Sequence, residues 1–493
     1  VLNQLKPNIM RQLLNLSLSA LLLGCTLPPI RRVEPDADAA TETLDDGATD
    51  TAIDGTVIDD GPLIDVPTLD MPTVPDVPDG PDVPSRDAGT LLPMAVVAER
   101  VYTQRVGSPL AFTHFVGGSK LVANTTQMVA TAWSLPAGGG SATQILFSRL
   151  RRGRALWRER SRYDNVPTGS ALAMDIGDKL LLALTCNGAC GPGATVPVTS
   201  SGLLQFALNL GDYMFMAPTD STFDTAPSAG LVSLAVHRGS SEFYWSHLTR
   251  FAGPATGVRR MFRSGSVVPV VLDRSGAGRW PLVAIAETTR ANELLYAVSN
   301  ATSGNAATAD LTNVELLRVN GNAVDTVPLT APPMAANGGT DFPIFFSSLE
   351  SSPNGTLFAH IHGKFAGGIC TYVFRLRAGV APESTPLGCQ SPYAQLHVIN
   401  DNELLFVDGD LTSASVRVAY SRDSGASWVW RRIVVTALDS LPIGDVLVAP
   451  SLVRASTSPN GFESRTVRMV ISAGSFVNRV LAFNDLLYIE FSF

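Results

Sequence analysis

From about Leu92 onward, short runs rich in Val, Ile, Leu, Phe, Tyr and Trp alternate with clusters of Gly, Asn, Asp, Ser and Pro. Runs of this length, bounded by turn formers, predict β-strands. No stretch sustains a helical period. Several strands open with the same phrase, a polar turn leading into a Leu-rich run: Asn292-Glu293-Leu294-Leu295-Tyr296, Asn402-Glu403-Leu404-Leu405-Phe406, Gly177-Asp178-Lys179-Leu180-Leu181 and Asn354-Gly355-Thr356-Leu357-Phe358. Equivalent positions near Leu121, Leu181, Leu234, Leu294, Leu357, Leu404 and Val467 recur about every 58 residues, a period that suits a four-stranded propeller blade with generous loops. The expected fold is therefore all-β, a β-propeller of six or seven four-stranded blades over residues 91–493, and closure of the ring removes the exposed edges of an open sheet. A pair of β-sandwiches is the rival, but it would not require the recurring phrase.

Composition agrees with a turn-rich chain poor in helix: 45% of the 493 residues are hydrophobic, with 42 Gly and 33 Pro. The net charge of −8 averages two unlike segments. Residues 34 to 87 hold 16 of the 44 acidic residues against one basic residue, Arg86, whereas the chain from residue 91 onward is near +3. A body so close to neutral implies neither the clustered basic face that nucleic acid requires nor a strongly acidic shell, and no nucleic-acid partner is expected. The acidic stretch, as in Asp65-Val66-Pro67-Thr68 and Val74-Pro75-Asp76-Val77-Pro78-Asp79, has no aromatic residue. It cannot bury enough apolar surface to offset its ordering entropy, and its like charges repel. Residues 25–90 are thus expected to form a disordered, extended tether, whose acidic stretch from 34 to 87 could reach on the order of 170 Å in a polyproline-like form. Asp54-Gly55 and Asp59-Asp60-Gly61 resemble fragments of calcium loops, but no stretch has the full spacing with a closing Glu.

Lys6 and Arg11 precede an apolar run from Leu13 to Leu23, broken by Asn15, Ser17 and Ser19 and ending in Leu22-Leu23-Gly24-Cys25. The run is too short to span a bilayer and has the charge and length of a secretory signal. Met10-Arg11 would open a more compact version of it. Its end resembles the lipobox of bacterial lipoproteins, in which a Cys follows Leu and two small or apolar residues. The resemblance implies a signal peptide over residues 1–24, a diacylglycerol thioether on Cys25 and attachment to a membrane. Leu23 is bulkier than the family's commonest residue at that position. Thr26 stands where an inner-membrane retention Asp would be, so the resemblance implies a lipid-anchored envelope protein of the outer membrane.

The segment Ser421-Arg422-Asp423-Ser424-Gly425-Ala426-Ser427-Trp428 resembles the Asp-box of sialidase-like propellers, with Ser427 in place of Thr. Ser421, Asp423, Gly425 and Trp428 match the box: the carboxylate can cap turn amides, Gly can take a positive φ, and Trp can fold back between hairpins. The resemblance implies a structural role, on a hairpin away from the active site. Asp273-Arg274-Ser275-Gly276 with Trp280, and Ser148 with Gly153 and Trp157, look like eroded copies.

A sialidase also needs three substrate-clamping Arg, a Tyr/Glu nucleophile pair and an acid/base Asp. The nearest match to its Phe-Arg-Ile-Pro segment is Phe342-Pro343-Ile344, which is mid-chain and lacks the Arg. His360 and His362 project from one face of a strand, but no third metal ligand is suggested nearby, and no phosphate loop or dinucleotide fingerprint occurs. Neither a metal nor a cofactor is expected, and no catalytic residue is assigned. Besides Cys25 there are four cysteines, an even number that suits an oxidising compartment. Cys186 and Cys190 can close a small disulfide loop through an Asn-Gly turn, and Cys370 and Cys389 flank a candidate hairpin that a second disulfide would staple. The expected function is a membrane-anchored binding module for a glycan, peptide or protein partner, with a sialidase-like glycoside hydrolase as the alternative. An envelope-assembly propeller is a third possibility, although its Ala-x-Asp-x-x-Thr-Gly-type turn is not found cleanly.

Overall fold

The computed structural model describes residues 95–493 apart from 104–109, 113–117, 136–141, 153–155, 168–169, 208–217, 226–227, 250–258, 265–270, 273–278, 288–292, 303–313, 321–322, 328–344, 354–355, 366–367, 378–379, 381–382, 389–393, 410–414, 435–445 and 478–479. The expectations for the signal segment, Cys25 and the acidic tether fall outside the described residues. Among those described, no helix is long and apolar enough to cross a membrane.

Among the described residues, the strands form seven antiparallel sheets of four or five strands, with one extra two-stranded hairpin. Within most sheets, strands pair with their neighbours in sequence. Sheet 6 is typical: Gln395–Val398, Leu404–Gly409, Ser415–Ser421 and Val429–Val434 lie side by side in that order. Sheet 1 departs from four strands, because the short segments Leu110–Phe112 and Leu121–Ala123 both pair with Gln127–Leu135, which continues to Thr143–Leu150 and Arg158–Tyr163.

The innermost strands of the seven sheets are Leu121–Ala123, Ala171–Met174, Ser228–Val236, Arg279–Glu287, Phe345–Ser351, Gln395–Val398 and Val446–Leu452. Each contacts the next around the ring, and the seventh contacts the first. The protein is thus a seven-bladed β-propeller, the upper of the two blade numbers expected. The ring is closed within sheet 7, where Ala95–Thr103 pairs with Val480–Ser492 in the register Ala95↔Ser492 to Thr103↔Asp485. A strand from the start of the domain is thereby hydrogen-bonded to Val480–Ser492, which then has a partner on both of its edges.

Period-2 alternation explains how the sheets stack. On the second strand of sheet 2, Leu180, Leu182, Leu184 and Cys186 pack with Val122, Val129 and Leu146 of sheet 1. The alternate residues Leu181 and Ala183 face Val232, Leu234 and Trp245 of sheet 3. A strand buried on both faces needs a continuous apolar run, which is why the Leu-rich phrases read as unbroken rather than alternating. The seven recurring positions mark seven different sheets. Five of them lie on second strands, but Leu121 and Leu234 lie on innermost strands. Innermost and second strands are both buried on two faces, so hydrophobicity alone does not tell them apart.

Candidate functional site

The innermost strand of sheet 7 is joined to the second, Thr466–Val477, by the loop Val453–Arg465. Its sequence, Val-Arg-Ala-Ser-Thr-Ser-Pro-Asn-Gly-Phe-Glu-Ser-Arg, reads as an ordinary polar turn, yet Arg454, Ser456, Thr457 and Ser458 are all buried. Their partners explain this. The Ala123 amide, at the end of the innermost strand of sheet 1, donates to Ser458 Oγ at 3.1 Å. The Met174 amide of sheet 2 donates to the Thr457 carbonyl at 2.8 Å, and the Val236 amide of sheet 3 to the Ser456 carbonyl at 2.9 Å. Ser456 Oγ reaches the Glu350 carboxylate of sheet 5 at 3.4 Å, and Arg454 Nε lies 3.4 Å from the same group. His397 of sheet 6 donates from Nε2 to the Ser464 carbonyl at 3.0 Å, and Arg465 pairs with Glu403 at 2.5 Å.

A loop bonded to five other sheets at the ends of their innermost strands crosses the axis of the ring and seals that mouth of the central channel. Gly461 is required by the fit: a Cβ there would lie 2.1 Å from the Ala123 carbonyl oxygen. Inside the seal, burial pushes the Glu350 carboxyl up, opposed by Arg454, Arg238 and the Ser456 hydrogen bond. Burial pushes Arg454 down against the attraction of Glu350. The pair is kept because each charge would be far costlier to bury alone.

The opposite face carries the crossings from one sheet to the next and the loops between second and third strands. There, Asp224, just past the outermost strand of sheet 2, accepts from Arg260 Nη1 at 2.6 Å and 2.7 Å through its two oxygens. It also lies 2.8 Å from His247 Nε2. His247 and Arg260 face each other across the pairing of Phe243–Thr249 with Arg259–Arg263. The imidazole stacks on Trp245 and Phe262 at 5.6 and 5.9 Å and is fully covered. With no exposed surface, the ring serves as a clamp between sheets 2 and 3. On the same face, Cys186 and Cys190 form a disulfide, and Cys190 sits in the first strand of the small hairpin Ala189–Gly191/Ala194–Thr195. The Asp164 amide donates to the Cys190 carbonyl at 2.7 Å, and the Asn187 amide to the Asn165 carbonyl at 3.0 Å, docking this hairpin on the crossing out of sheet 1.

Ser421, Asp423, Gly425 and Trp428 share one turn at the sealed face. Asp423 accepts the Ser427 amide at 2.8 Å, the Ser427 hydroxyl at 2.5 Å and the Ser421 hydroxyl at 2.8 Å. Burial works against its ionisation, but these hydrogen bonds outweigh it and hold the carboxyl below its ordinary range. Gly425 has φ +90°, and its amide donates to Ser421 Oγ at 2.8 Å. Trp428 Nε1 returns to the Gly425 carbonyl at 3.0 Å, while the ring packs on the core that includes Leu404 and Phe406. The Ser424 amide bonds the Asn402 carbonyl at 2.9 Å, so the turn also grips the polar start of the recurring phrase.

The remaining predicted positions are dispersed. Cys25 and Cys389 lie outside the described residues. Cys370 sits on Gly368–Leu376, paired with Gly363. His360 is buried edge-on against Phe406 at 4.9 Å. Among the described residues no three His, Cys, Asp or Glu side chains are grouped to hold a metal. The sealing loop, Glu350, Asp224 and His247 were not singled out from sequence. Their partners lie 23 to 335 residues away, beyond any local motif.

No protein-family model and no curated protein matches the sequence. Among solved structures, the polysaccharide lyase Uly1 superposes with a TM-score of 0.52 at 8% identity, covering 80% of this chain and 100% of that one. The Dos1 propeller (TM-score 0.38, 9% identity, 78% of this chain and 96% of that one) and the Aleuria aurantia lectin (0.36, 10%, 69% and 99%) are more distant. At such identities the likeness to Uly1 is one of fold alone.

Proposed function

We propose that this protein is an envelope lipoprotein, held at the outer membrane by lipid on Cys25, whose propeller binds a polysaccharide at the face opposite the sealed mouth. The observation that carries this reading is the seal itself. With Val453–Arg465 bonded to five other sheets, the channel is not a through-pore, and a ligand reaches the axis from the face that carries the sheet-to-sheet crossings. The disulfide-clamped hairpin and the Asp224 cluster lie on that face and preorganise it, which lowers the ordering cost of binding. Polysaccharide is the ligand class to test first because Uly1, which shares the fold over 80% of this chain, is a polysaccharide lyase by name. The secretory-type run and the acidic, Pro-rich segment after Cys25 support export and tethering. The Ser421–Trp428 turn resembles the Asp-box, and by that resemblance it stiffens a hairpin of sheet 6.

The test has two arms. Cells expressing wild type or Cys25→Ala are labelled with a fatty-acid analogue and fractionated; label on wild type alone, in the outer membrane, is expected. The purified protein is run in affinity gels containing neutral or acidic polysaccharides, with retarded migration in at least one and no shortening of the polymer. Equal labelling of both forms would overturn the anchor. Normal migration in every gel would overturn the binding reading, and polymer cleavage would replace it with an enzymatic one.

A further inference from the structure

A cavity lies on the sealed side, off the axis. Sheets 1 and 7 and the sealing loop line a half-open cavity of about 350 Å³, whose walls include Arg151, Arg152, Asn460, Glu463, Arg468 and Glu490. The volume matches the lower end of small-molecule sites, roughly 300 Å³ and above. Its charges are mostly committed to one another. Arg468 Nη2 bonds Glu463 at 2.8 Å and its Nε bonds Glu490 at 3.0 Å. Arg151 pairs with Glu463 and donates to the Asn124 carbonyl at 2.7 Å. Burial alone would raise the Glu463 carboxyl, but Arg468 and Arg151 outweigh it and keep the group ionised. Two carboxylates are therefore matched by two guanidinium groups, and the third, Arg152, is exposed at the rim with no hydrogen bond or ion pair among the described residues.

We propose that this cavity binds an oxyanion, the carboxylate or sulfate group of an acidic ligand, through Arg152. The cavity carries one uncompensated positive charge, which selects against cations. A guanidinium presents a planar fork that fits two oxygens of a carboxylate or sulfate at once, and an ammonium does not. Arg151 and Arg152 come from sheet 1, Asn460 and Glu463 from the sealing loop, and Arg468 and Glu490 from sheet 7. An anion held there spans the seam at which the ring closes, and it stabilises the folded protein by mass action.

The experiment is calorimetric titration of the full chain with sodium sulfate, sodium glucuronate and, as controls, glucose and sodium chloride at matched ionic strength, together with thermal melts. Saturable binding of sulfate or glucuronate is expected, with a melting point about 2 °C higher at ten times Kd. Whichever salt binds identifies the group as tetrahedral sulfate or planar carboxylate. Arg152→Ala should weaken binding roughly tenfold and leave the ligand-free melting point unchanged, since the side chain is exposed and unpaired; Arg152→Lys should restore only part of the loss. Binding by Arg152→Ala equal to wild type, or no saturable binding of either anion above the chloride control, would overturn the proposal. The variant lies on the sealed side, so its retardation in polysaccharide gels tests the open-face reading separately.

Discussion

Burial of a neutral His397 beneath the sealing loop should make the protein less stable in mild acid. The imidazole is buried in the innermost strand of sheet 6, with Nε2 donating to Ser464 at 3.0 Å and the ring tilted against Phe462 at 5.1 Å. Burial, with a lesser contribution from nearby Arg468 and against the Ser464 hydrogen bond, lowers its pKa from 6.5 to about 4. In the unfolded chain the same ring takes up a proton near pH 6.5. Stability from this group is therefore fully present above pH 6.5 and is lost as the pH falls towards 4. At ~1.4 kcal/mol for each tenfold difference in proton affinity, the loss is about 2 kcal/mol at pH 5 and about 3 kcal/mol at pH 4. Urea unfolding followed by Trp fluorescence at pH 7.5, 6.5, 5.5 and 5.0, on wild type and His397→Gln, measures it. Gln can still donate to Ser464 but does not titrate, so the stability difference between the two proteins should change by about 2 kcal/mol across that range. Glu403, Asp423 and Glu463, whose carboxyls are held below their ordinary range, lose their contributions at lower pH, outside this window. His237, also lowered by burial, is common to both proteins and cancels. A difference that stays flat from pH 7.5 to 5.0 would refute the claim that the loop buries a neutral His397.

Gly461→Ala forces a methyl group onto the Ala123 carbonyl and should cost at least about 2 kcal/mol, with new proteolytic nicks mapping to Val453–Arg465. Arg454→Met leaves the Glu350 carboxylate buried without its partner, a loss of about 3–5 kcal/mol at pH 8. Because burial already raises Glu350, the deficit should shrink at pH 5, where the carboxyl takes up its proton more readily, and Arg454→Met with Glu350→Gln should recover much of it in chemical denaturation. Gly425→Ala, at φ +90°, and Asp423→Ala, at an exposed turn, should each cost about 1 kcal/mol in the same assay. The Cys186–Cys190 bridge closes only a short loop, so its reduction should lower stability by only about 2 kcal/mol on the chain-entropy scale, measured with and without a thiol reductant.

Some of these features were legible in the chain and others were not, for reasons of range. The Ser421–Trp428 turn is held by contacts two to four residues apart, so a pattern of eight residues carries its geometry. The Cys186–Cys190 bridge is equally local. The Leu-rich phrases reveal strands buried on both faces, and their spacing finds each of the seven sheets once. It misplaces Leu121 and Leu234 by one strand because neighbouring strands in a stacked sheet carry the same apolar signal.

By itself, then, the sequence determined that the domain is all-β, built from a repeated sheet, and that one hairpin turn has its internal bonds. Only the tertiary structure decided that the repeats number seven, that Ala95–Thr103 completes the seventh, and that a Ser- and Thr-rich loop is a buried seal rather than a solvated turn. Hydrophobic periodicity reports whether a side chain is covered, whereas the bonds from Ser456, Ser458 and Arg454 to sheets 1, 3 and 5 depend on how the ring closes in space, which no run of neighbouring residues encodes.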